Sequence, residues 1–129
     1  MNPLIENVIQ ALQRSWQRDT SYSPVEWSQE NSARGQCTVS ALVVQHYLGG
    51  DLRRYRVTGP NIDETHYCNL LPDGTLLDTT ASQYRVPVTL TVKPFALIGY
   101  SSAREKRLAD DDTRRRYEKL LERVAKYID

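Results

Sequence analysis

The stretch HYCNLLPDGTLLDTT, residues 66–80, decides how this chain folds, because two apolar-leaning runs flank Pro72-Asp73-Gly74, a run with strong turn chemistry. Pro72 and Asp73 suit the middle of a type I turn and Gly74 the left-handed bulge position, which makes a three-residue hairpin connection. That turn pairs Leu71 with Thr75. Counting outward sets Cys68 opposite Asp78 and His66 opposite Thr80, so His66, Cys68, Asp78 and Thr80 share one face of the sheet and Asp78 is a diagonal neighbour of His66. A two-residue Asp73-Gly74 turn would instead set Asp78 opposite Asn69, on the other face. Pro72 favours the first register.

Working outward, LRRYRVTG (Leu52 to Gly59) alternates as a strand and PNIDET reads as a loop, so His66 is expected to open the first strand of the hairpin. RVPVTLTV (Arg85 to Val92) is another strand, with Pro87 pushing it to an edge or to its own beginning. Upstream, Thr38 to Leu48 reads as a buried apolar helix that Gly49-Gly50 stops, with Cys37 delivered to its front by Gly35-Gln36. Ser21 to Gly35 is a Ser-, Asn- and Pro-bearing surface loop. Leu4, Ile5, Val8, Ile9, Leu12 and Trp16 recur at helical spacing from Pro3 to Arg18, with Asn2 placed to cap. Tyr117, Leu120, Leu121, Val124 and Ile128 line a final helix from near Thr113, behind an acidic run that suits its positive end. The expected fold is α+β, helices packed on a small antiparallel sheet, in a single domain spanning 1–129.

Composition narrows the classes. The chain has 129 residues, of which 40% are hydrophobic and 26% charged, which is ordinary for a globular protein and sufficient for one core. Nothing approaches the roughly 18 apolar residues of a membrane span, so no membrane partner is expected. MNPLIENVIQ lacks the cationic lead-in and cleavage site of a secretory signal, and two cysteines are too few for a disulfide framework, so a cytoplasmic chain with reduced thiols is expected. Seventeen Lys+Arg against sixteen Asp+Glu leave a net charge of +1, which disfavours nucleic acid as partner. No Gly-rich phosphate loop, GxSxG elbow or HExxH pair occurs, and no cofactor is expected.

Cysteine chemistry needs a base, because at a pKa of about 8.5 only a few per cent of a thiol is ionised at neutral pH. His46 lies more than two helical turns from Cys37, which leaves His66 as the candidate base and Asp78 as its neighbour. The segments GQCTVSALVVQHYLGG, HYCNLLPDG and LLDTTASQY together resemble the YunG-like family of bacterial proteins. That pattern runs GQC, an apolar helix ending in GG, an HY-N hairpin strand, and D-T followed by a Q-aromatic pair. The order of helix-borne Cys, strand His and hairpin Asp is similar to papain-like and transglutaminase-like enzymes. This similarity implies a papain-like core with Cys37 as nucleophile, His66 as general base and acid, and Asp78 holding the imidazole tautomer. It also implies an oxyanion hole from the Cys37 backbone N–H and a side-chain amide, for which Gln36 and Gln29 are available. The expected activity is that of a thiol hydrolase or acyltransferase acting on an acyl or peptide-like substrate.

Other readings stand beside this one. Cys37 is equally suited to being a small buried hydrophobe, His66 a strand histidine bonded to its neighbouring loop, and Asp78 a cap on the loop that follows it. Trp27 and Tyr67 are either packing residues or a substrate platform. Cys37, His66, Cys68 and Asp78 form a plausible zinc set by ligand type, though without paired CxxC spacing. A non-catalytic interaction module is the remaining alternative, with Arg104, Lys106, Arg107, Arg114, Arg115 and Arg116 offering a basic face. Oligomeric state leaves no sequence signal.

Overall fold

The computed structural model describes residues 3–128. Helix α1 spans Pro3–Ser15, α2 Cys37–Leu48, α3 Ala103–Leu108 and α4 Asp111–Ala125. Strands β1 (Asp51–Gly59), β2 (Ile62–Leu70), β3 (Leu76–Leu77) and β4 (Thr89–Val92) form one antiparallel sheet in the order β3-β2-β1-β4. The fold is therefore α+β, a small curled sheet packed with helices. None of the described helices is long and apolar enough to cross a membrane.

Helix α2 is the buried axis. Val39, Leu42, Val43 and Val44 are fully enclosed, and α1 brings Val8, Leu12 and Trp16 against them while α4 brings Tyr117, Leu120 and Val124. The helical spacing of apolar residues in α1 and α4 selects these faces. Helix α1 stops at Ser15 rather than Arg18, because the chain tightens into a 3-10 turn over Arg18–Thr20. The proposed cap Asn2 lies outside the described residues. Asp110 caps α4, its carboxylate accepting from the Thr113 N–H at 2.9 Å.

The sheet corrects two expectations. PNIDET is not a loop: Pro60-Asn61 alone make the β1–β2 turn, with Asn61 at a left-handed φ of 59°, and Ile62 to Thr65 continue β2. Residues such as Thr65 and Ile62 suit a strand despite their polar neighbours, and pairing with β1 along nine residues overrides the local turn signal. His66 consequently stands in the middle of β2, opposite Tyr55, and not at its start. Strand β4 is confined to Thr89–Val92 at the exposed edge, beginning after Pro87, as a residue without an N–H requires.

The hairpin takes the register that Pro72-Asp73-Gly74 favours. Leu70 pairs with Leu76 and Asn69 with Leu77, while the Leu71 N–H donates to the Thr75 carbonyl at 2.8 Å. Gly74 sits at φ 90° and the Asp73 carboxylate accepts the Thr75 N–H at 2.9 Å, closing the turn. β3 then ends after two residues, and the chain turns away at Asp78.

Candidate active site

The approach to Cys37 explains the Gly-Gln pair that precedes it. Gly35 has φ 76°, and a Cβ there would lie 2.2 Å from Ser21 Oγ and under 3 Å from the backbone nitrogens of Tyr22 and Ser23, so only glycine fits. Gln36 is fully buried. Its amide donates to the Gln17 carbonyl at 3.0 Å and its Oε1 accepts from the Thr20 hydroxyl at 2.9 Å, which fastens the front of α2 to the turn after α1. No side chain caps α2, so the first-turn N–H groups at Cys37 are left to whatever lies before them.

What lies there is the open edge of β2. Tyr67 and Asn69 face α2; Asn69 donates to the Ala41 carbonyl at 2.9 Å and Tyr67 joins the core. His66 and Cys68 therefore point to the other face, where the segment from Asp78 to Tyr84 covers them and leaves His66 with no exposed surface. In the register that sends the Leu71 N–H to Thr75, the Tyr67 N–H is directed toward the same edge. With β3 already finished, the Cys37 sulfur takes that donor instead.

Three groups thus meet. His66 Nε2 lies 2.7 Å from Asp78 Oδ2, and the other Asp78 oxygen accepts the Thr80 N–H at 3.2 Å, so Asp78 both caps its loop and holds the ring. Nδ1 is the nitrogen left for Cys37. Burial would push the Cys37 thiol up, but the hydrogen bond and charge of His66, the Tyr67 N–H and the Thr38 hydroxyl, 3.9 Å away, outweigh it and hold the thiol below its ordinary value. Burial likewise favours a neutral imidazole, yet Asp78 and Cys37 raise His66 to about 9. Both shifts run in the direction that favours a thiolate beside an imidazolium.

A second layer orients the ring. The Tyr84 hydroxyl donates to Glu64 Oε2 at 2.9 Å and stands 3.4 Å from His66 Nδ1, its ring edge-on to the imidazole at 5.3 Å. Burial pushes the Glu64 carboxyl up, but Arg34 and Tyr84 prevail and keep it ionised. Arg34 grips both Glu64 oxygens at 2.7 and 2.9 Å and also reaches Gln83 Oε1 at 3.1 Å. Reading single residues does not find Arg34, Glu64, Gln83 or Tyr84; the only available signal is the Gln-aromatic pair of the YunG-like pattern, which is Gln83-Tyr84.

Of the remaining expected site residues, none joins this cluster. Gln36 is fully buried, with its amide nitrogen on the Gln17 carbonyl and its amide oxygen on the Thr20 hydroxyl, so it serves to anchor the front of α2. Gln29 is exposed on the surface turn closed by Ser28 and Asn31 and does not line the cleft at Cys37. Trp27 is buried, its Nε1 donating to the Ser32 carbonyl at 2.9 Å beneath the Arg18 guanidinium, which makes it a packing residue. Cys68 is a buried free thiol, pushed up to about 12 chiefly by burial. The zinc reading is corrected: among the described residues no three His, Cys, Asp or Glu side chains converge as a metal would need, so Cys37, His66, Cys68 and Asp78 are not a ligand set. Nor do the six cations form one face. Arg104 is turned inward onto the Leu42 carbonyl and the Tyr117 hydroxyl, Arg116 is buried against Asp112, and Arg114 and Arg115 are balanced by Asp111 and Asp112.

Cys37 opens into a cleft of about 390 Å³, whose walls include Tyr67, Gln83, Glu64 and several arginines. A family model described as YunG protein matches residues 4–129. The protein YunG of Bacillus subtilis (strain 168) is 30% identical over 125 residues, covering 96% of this chain and 94% of its own length. No solved structure matches this chain.

Proposed function

The chain belongs to the YunG family, a membership that names no reaction, so its chemistry has to come from its own side chains, and from these we propose a thiol-dependent hydrolase or acyltransferase of papain-like type. The observation that carries this reading is the buried His66 ring, bonded through Nε2 to Asp78 and interacting with a thiol of lowered pKa. A structural cysteine in an apolar helix has no need of such a partner, and burial alone would make it inert.

In this mechanism the Cys37 thiolate attacks the carbonyl carbon of an amide, ester or thioester, forming an S–C bond as the carbonyl electrons move onto oxygen. The Cys37 backbone N–H, at the positive end of α2, stabilises that oxyanion. As the tetrahedral intermediate collapses, His66 Nδ1 gives its proton to the leaving amine, alcohol or thiol, and an acyl-enzyme remains. Neutral His66 then takes a proton from water or an acceptor amine, whose attack releases the acyl group and restores the thiolate–imidazolium pair. Asp78 keeps the ring in place and balances its charge throughout.

The test is the pH dependence of iodoacetamide labelling at Cys37, located by peptide mass spectrometry, in the native protein and in His66→Ala. Rapid labelling below about pH 7 that moves toward the ordinary thiol range of about 8.5 when His66 is removed supports the reading. Slow labelling at every pH, indifferent to His66, makes Cys37 a packing residue and leaves a non-catalytic interaction module.

A further inference from the structure

The cleft beside Cys37 is lined by four arginines, Arg34, Arg54, Arg107 and Arg116, and by one carboxylate, that of Glu64. Two of the cations are balanced. Arg34 is paired with Glu64 and Glu26, and Arg116 with Asp112 at 2.9 Å. Arg54 and Arg107 have no ion-pair partner among the described residues. Arg54 Nε donates to the Lys93 carbonyl at 3.1 Å and another of its nitrogens to that of Pro94. Arg107 donates to the Thr113 hydroxyl at 3.2 Å, while its Nε is buried with no acceptor. Asp110 feels the charges of Arg107 and Arg116, but its carboxylate is committed to Thr113 and does not line the cleft.

Aromatic rings fix these two cations in place. Arg107 lies over Tyr67 at 5.7 Å from the ring centre and Arg54 over Phe95 at 4.6 Å, and the two rings are 6.0 Å apart. A guanidinium on an aromatic face keeps its edge donors free for another acceptor. A confined pair of cations without counter-charge is stabilised by an anion placed between them.

We propose that this cleft binds an anionic group of the acyl substrate, a carboxylate or a phosphate, between Arg107 and Arg54 on the Tyr67 side of Cys37. The proposal rests on reading Cys37 as the nucleophile. It gives that reaction a substrate class: an acyl compound, peptide-like or smaller, with a negative charge near the carbonyl under attack. Guanidinium edges accept either oxyanion, and a cleft of this size holds a small ligand.

Alkylating reagents of unlike charge provide the test. The rate constant for iodoacetate, divided by that for neutral iodoacetamide, is measured at Cys37 at one pH and ionic strength and compared with the same ratio for N-acetylcysteine. The native protein is expected to favour iodoacetate relative to the free thiol. Arg107→Gln and Arg54→Gln are each expected to lower the ratio about fivefold, the effect of removing one charge about 8 Å away at intermediate dielectric, while Arg107→Lys keeps most of it. Dividing by the neutral reagent cancels general changes in thiol reactivity, and Arg54→Gln carries the test if Arg107→Gln does not fold. Protection of Cys37 by millimolar glutarate assigns a carboxylate, and protection by inorganic phosphate a phosphoryl group. Protection by neither, or a ratio indifferent to both substitutions, overturns the proposal. Slow iodoacetamide labelling combined with an arginine-dependent ratio would instead overturn the nucleophile and leave the anion site standing.

Discussion

Replacing Asp78 by asparagine separates the charge on the His66 ring from the hydrogen bond that orients it. The amide oxygen of the new side chain can still accept from Nε2, which lies 2.7 Å from the native carboxylate. A hydrogen bond to a charged group contributes about 1.5–3 kcal/mol and a neutral one about 0.5–1.5, so the substitution removes ~1–2 kcal/mol from the thiolate–imidazolium pair. The Asp78 side chain is 23% exposed, and partial screening places the effect in the lower half of that range. The sign follows from the pairing: losing the negative charge lowers the His66 pKa, which raises that of Cys37. The acid limb of the iodoacetamide profile should move up by about one pH unit, and the rate below that limb should fall roughly 5- to 12-fold. The assay is the labelling rate at Cys37 from about pH 4 to 10. Superimposable native and Asp78→Asn profiles would refute the reasoning, as would a uniform slowing that persists where the thiol is fully ionised.

Alkylation and acyl transfer should differ on their alkaline sides. Labelling needs only the thiolate and should stay high, whereas turnover of any acyl substrate should decline as His66 loses its proton near pH 9, because the leaving group then lacks its acid; parallel profiles from the two assays would contradict this division. Gln36→Ala removes two buried hydrogen bonds, one to the Thr20 hydroxyl and one to the Gln17 carbonyl, and empties the space of a fully buried side chain, so thermal unfolding should show a loss of about 2–4 kcal/mol. Gly50→Ala sets a Cβ 2.2 Å from the Leu70 carbonyl oxygen at φ 81° and should cost about 3 kcal/mol or more in chemical denaturation. Gly74→Ala, at φ 90° with open space around it, should cost only about 1. Equal losses at the two glycines would show that backbone conformation alone, without the close approach, sets the penalty.

Much of this arrangement is legible from local chemistry. The amphipathic stripes of α1 and α4, the glycine stop of α2 and the Pro-Asp-Gly turn each carry their information within a few residues, and the turn alone fixes that Asp78 shares a face with His66. The misread elements depend on distant partners. PNIDET looks like a loop until β1 pairs with it, and α3 is six residues with no buried position to mark it. At the site, Gln36 looks available because glutamine beside a cysteine suggests a donor, and only the fold shows both ends of its amide engaged with the turn after α1. Glu64 lies 30 positions from Arg34 and 20 from Tyr84, so no spacing rule links them. The Tyr67 N–H, a backbone group, has no sequence signature at all.

That backbone donor has a consequence for how the site can be lost or altered through descent. No single substitution can delete a main-chain N–H short of proline, so its service to the thiol is insulated from ordinary point mutation. It depends instead on a count: three residues between Leu71 and Thr75, and a strand that stops two residues later. Lengthening or shortening that solvent-exposed turn by one residue would carry Asp78 to the opposite side of the sheet and send the Tyr67 donor to a new neighbour. A single-codon insertion or deletion in a loop distant in appearance from the chemistry would silence it more completely than most changes within the cleft.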